Sequence, residues 1–433
     1  MGLGSLGRGI GDARFLAECG AYVTVTDIKS EEHLKESVVK LDDLKNIRFV
    51  LGGHRIRDFR DIDMVIKGAG VPLDSFYINE ARKAGIPVRM STALFAEMTP
   101  SLVIGVTGTK GKTTVSHLLY YILKKAGKKV FLGGNAYLSS TLAHLPESSK
   151  DELALLELDS WQLQGFSEVS MSPDLSIFTN FGPDHLNYYK GDMDSYLNDK
   201  ASIFLNQKET DLLIAEERVC RMIKERYGGR IKSKVKSVSN IDIPSDWPVS
   251  VEGEHNRVNA ALAVSTALSL GVSQDTCRAS LAEFPGVSGR LQYKGKIKER
   301  MFYNDNNATT PEATAASVKA LEKKGRIILI AGGADKDLPI NVLAEVVENS
   351  VHKCLFLPGS GTERIKEMIN PSKIKLVDDI EDALDTAYSI SEEGDVILFS
   401  PAFASFSQFG NEYERERSFL NVLEKKREEL STK

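Results

Sequence analysis

One stretch constrains the fold of this chain more than any other: "LVIGVTGTKGKTTVSHLLYYILKKAG", residues 102–127. An apolar run enters a glycine-rich turn, passes Lys112 and Thr113, and continues as an amphipathic stretch. That order reads as strand, loop, helix. A loop of this kind presents backbone N–H groups and a helix N-terminus to phosphate, aims a lysine at the outer phosphate oxygens and offers a hydroxyl to Mg²⁺. The general pattern asks for glycine at position 106, where this chain has Val106 between Gly105 and Gly108. A plain glycine-rich surface turn is the ordinary alternative. The strand before and the helix after favour phosphate binding.

Other short apolar runs alternate with amphipathic stretches along the chain. They include residues 21–27, 63–68, 153–158, 175–181, 326–333, 353–359 and 395–401. Runs without strict alternation, separated by helices, indicate parallel strands buried on both faces. The predicted class is therefore α/β. Seams near 89–101 and 284–290 divide the 433 residues into three domains, 1–94, 95–286 and 287–433. A net charge of −5 offers no field for nucleic acid or an anionic membrane. No apolar run reaches the length of a membrane span, and no export signal is evident. The four cysteines and seven histidines are scattered without zinc-site spacing, which indicates reduced thiols in a cytoplasm. A bound metal would then rest on oxygen ligands, a lone histidine and substrate phosphates, favouring Mg²⁺.

Several residues beyond the loop carry chemical expectations. Glu157 ends an apolar run and is placed to hold Mg²⁺, although alone it would read as a surface carboxylate. Asp184 and His185 follow another run, at the edge where open α/β sheets bind ligands. A lone histidine there serves equally well as a helix cap. Asn256 and Asn259 share one face near the start of an Ala- and Leu-rich helix, where they cap it or bind a base. Three C-terminal loops, "YNDNNATTPEAT", "AGGADKD" and "SPAFASFSQFGNEY", follow strands and together would build one ligand face. At the other end, Gly2, Gly4 and Gly7 spell G-x-G-x-x-G, with Asp27 twenty residues further on, the shape of a dinucleotide fingerprint. Only Met1 precedes it, so the expected first strand is apparently missing. An upstream start is expected, and the neighbouring strands would then carry unpaired backbone edges.

"GVTGTKGKTT", "LELDSWQLQ", "NFGPDHLNYY", "GEHNRVNAALA", "NDNNATTPEAT" and "SPAFASFSQFGNEYERE" occur in that order over nearly the whole chain. Together they resemble the ATP-dependent Mur ligases of peptidoglycan synthesis. The last two blocks are most similar to the member that adds D-glutamate to UDP-N-acetylmuramoyl-L-alanine through an acyl phosphate. The resemblance implies a Rossmann-like N-terminal domain for the UDP-sugar, a central P-loop ATPase domain, and a C-terminal Rossmann-like domain for the amino acid. It implies ATP contacts at Gly108, Thr109, Lys110, Gly111, Lys112, Thr113, Thr114, Asn256, Asn259, Arg290 and Asp305. Mg²⁺ ligands would be Thr113, Glu157, His185 and Lys200, the last as a carbamate, with Lys112, Glu157, His185 and Lys200 forming the catalytic set. UDP-sugar contacts would be Gly4, Ser5, Leu6, Asp27, Lys29, Gly70, Asn135 and His185. D-glutamate contacts would be Thr309, Lys336, Ser405, Phe406 and Tyr413. The implied protein is a cytoplasmic monomer acting on small molecules, without nucleic acid or membrane partners, whose C-terminal domain swings about 284–290.

The chain departs from the family pattern where Asn307 stands in place of a common lysine, and where "KGAGVP" (67–72) lacks the usual Ser-Pro. Three rivals remain at this level. An NAD-dependent oxidoreductase would explain the N-terminal glycines and Asp27 but not the ATP loop. A sibling ligase would use another amino acid. A non-catalytic UDP-sugar-binding protein would keep only the fold.

Overall fold

The computed structural model describes residues 1–4, 7–136, 139–250, 253–406 and 408–431. It is α/β throughout and packs as two compact units. The first comprises Met1–Pro248 with His255–Ala282, and the second Val249–Glu254 with Glu283–Lys433.

In the first unit, β1 (Val23–Asp27) pairs in parallel with β2 (Ile47–Leu51), and β3 (Val65–Ile66) with β4 (Val88–Arg89). No strand precedes the helix Arg8–Glu18 among the described residues. The adjoining edges are nonetheless partly closed. Met1 N donates to Ile66 O at 2.8 Å, Gly68 N donates to Met1 O at 2.9 Å, and Gly2 N donates to Thr26 O at 2.8 Å. Two residues thus link both small sheets, and the open backbone edges expected there are satisfied in part.

The rest of that unit is built on β5 (Leu102–Thr107), β6 (Lys129–Gly134), β7 (Glu152–Glu157), β8 (Leu175–Phe178), β9 (Leu212–Glu216) and β10 (Lys234–Val238). They form one parallel sheet in the order β10-β9-β8-β5-β7-β6. The chain leaves β5 toward one edge and later returns to its other side at β8. That reversal makes a crevice beyond the C-terminal end of β5. The helix Lys112–Lys125 turns Val115, Leu118, Leu119, Ile122 and Leu123 into the core. Its first turn is left at the crevice.

The second unit carries β11 (Gln292–Ile297), β12 (Arg300–Asn304), β13 (Ile327–Gly332), β14 (Val351–Leu357), β15 (Ile374–Leu376) and β16 (Val396–Phe399), ordered β11-β12-β16-β13-β14-β15. All neighbours are parallel except β11 with β12. β13 and β16 are buried along their whole length, as their uninterrupted apolar runs require. Behind the sheet, Phe399 stacks on Phe419 with ring centroids 4.4 Å apart. Among the described residues no helix is long and apolar enough to cross a membrane. Cys220, Cys277 and Cys354 are buried thiols, and Cys19 is exposed.

Asp305 ties the C-terminal loops together. Its Oδ1 accepts from Leu291 N at 2.9 Å, and its Oδ2 accepts from Ser317 Oγ at 2.6 Å and Ser400 Oγ at 2.7 Å. Burial outweighs these donors and pushes the carboxyl from 3.8 up to about 6. A carboxyl raised on folding stabilises the native state below its unfolded pKa. That contribution is lost as pH climbs through the folded value. Between pH 4.5 and pH 7, the stability of wild type relative to Asp305→Asn should therefore fall by about 2 kcal/mol, at ~1.4 kcal/mol per pKa unit. Denaturant titrations of both proteins across this range measure it, and a pH-independent difference would refute it.

Candidate active site

Glycine is required twice in the turn after β5. Gly108 has φ +145°, and a Cβ there would run into Thr179 Oγ1. Gly111 has φ +82°, and a Cβ there would sit 2.5 Å from Asn259 Oδ1. The loop after β8 laces the turn from the side. Asn180 O accepts from Thr109 N at 2.9 Å, and Asn180 Oδ1 accepts from Lys110 N at 2.8 Å. Thr179 Oγ1 donates to Lys110 O at 2.5 Å, and Thr109 Oγ1 donates to Gly182 O at 3.1 Å. Lys110 Nζ lies 3.5 Å from Asp184. Nothing in the sequence marks Thr179 and Asn180, because a polar pair closing an apolar run resembles any strand end.

The metal-ligand candidates assemble as two pairs. Thr113 Oγ1 donates to Glu157 Oε1 at 3.2 Å, bringing together two hard oxygen ligands at the crevice. His185 and Lys200 meet instead around Tyr196. The His185 ring lies 6.1 Å from the Tyr196 ring and 4.8 Å from that of Trp161, and Lys200 Nζ is 4.8 Å from the Tyr196 centroid. His185 is exposed, with a left-handed φ of +52°. Among the described residues no three His, Cys, Asp or Glu side chains form a cage. This donor set suits Mg²⁺, which keeps waters and substrate oxygens in its shell, and not a cation that needs an all-protein site.

Two lysines converge on one carbonyl. Gly108 O accepts from Lys112 Nζ at 3.0 Å and from Lys200 Nζ at 2.9 Å. Lys112 Nζ also donates to Thr109 O at 3.1 Å. Lys200 is only 1 % exposed. Burial, reinforced by the charge of Lys112, pulls its amine down to about 7. On the helix Glu254–Ser269, Asn259 Nδ2 donates to Asn256 Oδ1 at 3.0 Å, which holds the Asn259 amide against Gly111.

The N-terminal candidates belong to the same unit. Asp27 does not present a free carboxylate. Its Oδ2 accepts from Gly4 N at 3.0 Å and its Oδ1 from Lys29 N at 2.9 Å, so it shapes the two turns. Lys67, also buried, donates to Gly68 O at 3.3 Å and Val71 O at 2.8 Å and braces the exposed turn at Gly70. Asn135 N donates to Glu157 O at 2.7 Å, while its own carbonyl accepts from Arg8 at 3.4 Å. Ser5 and Leu6 lie outside the described residues.

In the second unit, the loops after β12, β13 and β16 surround a cavity of about 300 Å³. Thr309, Lys336, Ser405, Phe406 and Tyr413 all line it, with Arg290, Asn307, Ala404 and Glu412. Lys336 Nζ donates to Thr309 Oγ1 at 2.9 Å, and burial lowers its pKa. Asn307 Nδ2 donates to Ser288 O at 3.3 Å, so the residue that replaces a common lysine braces the turn before Arg290. Asp305 faces inward, its oxygens engaged as described above, and fixes the loop that carries Arg290. Arg415 is buried directly behind the cavity wall. It donates to Asn306 Oδ1 at 2.8 Å, Phe403 O at 3.1 Å and Asn306 O at 3.0 Å. Burial pulls its guanidinium down to about 10. Its planar fork holds two cavity loops at once, in a fixed geometry.

Comparison with known proteins places the chain in a family. Residues 106–242 match the Mur ligase middle domain, and residues 289–403 match the Mur ligase, glutamate ligase domain. A UDP-N-acetylmuramoylalanine--D-glutamate ligase of Borreliella burgdorferi is 35% identical, covering 98% of this chain and 96% of that protein. A ligase of the same name from Roseiflexus sp. is 34% identical, covering 98% and 97%. Among solved structures, the MurF ligase of Thermotoga maritima in complex with ADP superposes with a TM-score of 0.61 at 19% identity, covering 94% of this chain and 96% of that one. The MurC ligase of Thermotoga maritima gives 0.59 at 19% identity, covering 98% of each. The structural likenesses concern the fold. With sequence identity sustained over nearly its entire length, the chain belongs to the Mur ligase family.

Proposed function

We propose that this protein is an ATP-dependent ligase that joins D-glutamate to UDP-N-acetylmuramoyl-L-alanine in peptidoglycan synthesis. The observation that carries this reading is the cavity of the second unit. It places two cations, Arg290 and Lys336, beside the hydroxyls of Thr309 and Ser405, a wall suited to a small dicarboxylate. The phosphate-binding turn in the same chain supplies the other half of a ligase. An NAD-dependent oxidoreductase fits poorly, because it leaves the glycine turn after β5 with Lys112 and the cavity of the second unit without a use.

The reaction runs in two displacements. The L-alanyl carboxylate attacks the γ-phosphorus of ATP, so an O–P bond forms as the bond to ADP breaks. The amine of D-glutamate then attacks the acyl carbon, phosphate leaves, and the nitrogen gives up its extra proton. Lys112 and the backbone N–H groups at the start of the helix Lys112–Lys125 hold the phosphates and offset charge on the transferring oxygens. Thr113, Glu157, His185 and carbamylated Lys200 would hold Mg²⁺, which when bound supplies further charge neutralisation and polarises oxygen. Asn256 and Asn259 serve the nucleotide, and Arg290, expected to join them, is assigned to the amino-acid cavity that it lines, with Asp305 holding its loop. Gly4, Lys29, Gly70, Asn135 and His185 serve the UDP-sugar, with Asp27 setting the turns. Positioning accounts for much of the rate, since three substrates must be aligned.

Carbamylation of Lys200 is supported by its surroundings. A buried cation beside a second cation is costly. Attack of Nζ on CO₂ forms an N–C bond, releases a proton and leaves an anion that Lys112 attracts. Residues 1–94, 95–286 and 287–433 are assigned to UDP-sugar, ATP and amino acid respectively. Because the nucleotide turn and the amino-acid cavity lie within one chain, the protein is proposed to act as a monomer, in the cytoplasm where its substrates are made.

Phosphate release from ATP should require both the UDP-sugar and D-glutamate, and a panel of L-alanine, diamino acids and D-glutamate should single out the last. Lys112→Ala should lower this release by roughly 10²–10³-fold, and near-normal turnover would overturn the assignment. Lys200→Ala should lose activity and regain part of it with acetate or propionate. Carbon-13 NMR of wild type in labelled bicarbonate should show a carbamate that the variant lacks, and its absence from wild type would remove that role.

A further inference from the structure

The cavity of the second unit carries a charge that the reading above leaves unused. Glu412 opens the helix Glu412–Ser431 and lines the same wall as Arg290 and Lys336. It is half-buried. Its backbone is anchored, since Glu412 O accepts from Asn306 Nδ2 at 2.9 Å, and Asn306 is in turn gripped by Arg415. Its carboxylate makes no hydrogen bond or ion pair with any described residue. Nor does the guanidinium of Arg290. Glu412 does act at longer range, raising the proton affinity of both Lys336 and Arg415. A carboxylate in a cationic cavity would ordinarily collapse onto a cation. Here the anchored backbone and the engagement of Lys336 with Thr309 hold the opposite charges apart.

The charge pattern has a natural complement. An acidic amino acid enters with two carboxylates and one ammonium, and the cavity walls offer two cations and one carboxylate. We propose that Glu412 is the residue that recognises the ammonium of the incoming amino acid. Arg290 and Lys336 take its carboxylates, and the Glu412 carboxylate takes its –NH₃⁺. The pairing selects amino acids over dicarboxylic acids that lack nitrogen, and it holds that nitrogen at a fixed place before it becomes the nucleophile. This rests on reading the cavity as the amino-acid site.

Full-length Glu412→Gln and Glu412→Asp test it against wild type. KM is measured for D-glutamate and for ATP, together with the inhibition constant of glutarate, which keeps both carboxylates and lacks the amine. With Glu412→Gln, KM for D-glutamate should rise by roughly 10–100-fold, the span of a hydrogen bond to a charged group. KM for ATP should stay level, glutarate should bind as well or better, and Glu412→Asp should retain part of the selectivity. An unchanged KM for D-glutamate, or parallel weakening of glutarate, would overturn the proposal, the latter by showing a general distortion of the cavity. If wild type turns over a different amino acid, the functional reading fails separately. The same comparison with that amino acid and its amine-free analogue then decides the role of Glu412.

Discussion

A parallel strand cannot turn straight back onto its neighbour, so each must be followed by a crossover, and the loops that leave the strands collect at one edge of the sheet. Both large sheets obey this constraint, and the functional chemistry depends on it. In the first, the turn after β5 and the loop after β8 meet where the strand order reverses. In the second, β12, β13 and β16 deliver residues 305–309, 333–337 and 400–406 to one cavity. Residues far apart in sequence become neighbours because the topology leaves their loops no other edge.

Electrostatic strain is concentrated at that edge. Lys112 and Lys200 share the Gly108 carbonyl, and nearby carboxylates answer only part of their charge. Burial and the neighbouring charge of Lys112 both favour the uncharged amine of Lys200. Arg415 makes a similar point in the second unit. Its three donors go to amide and carbonyl oxygens and not to a carboxylate. The guanidinium works there as a rigid strut, and its charge adds to the positive potential behind the cavity.

Much of this was legible in the residues. The strand, glycine turn and helix around Lys112 follow from local chemistry. The apolar runs at β8, β13 and β16, broken only by Ser176, mark strands covered on both faces. The loops bearing Thr309, Lys336 and Ser405 were recognisable because each follows such a run. What stayed hidden depends on three-dimensional partners. Arg415 lies in "NEYERERSF", a stretch that reads as a solvated helix face. Asp27 and Asp305 read as ligand contacts, and their hydrogen bonds to Gly4, Lys29, Leu291, Ser317 and Ser400 show a structural use that no sequence pattern marks. Thr179 and Asn180 matter only because the β8 loop comes to rest beside Lys110.

The contact between Gly111 and Asn259 bears on how the protein is made. The phosphate turn is short and local, and its strand and helix can form soon after they are synthesised. One of its walls, the helix Glu254–Ser269, belongs to the same compact unit but is translated only after the chain has passed the whole of β6 to β10. A closure between positions so distant in sequence is slow and comes late. On the ribosome, the growing chain therefore carries an unfinished glycine turn through most of the synthesis of its first unit. The turn gains its last wall only when position 259 docks against Gly111.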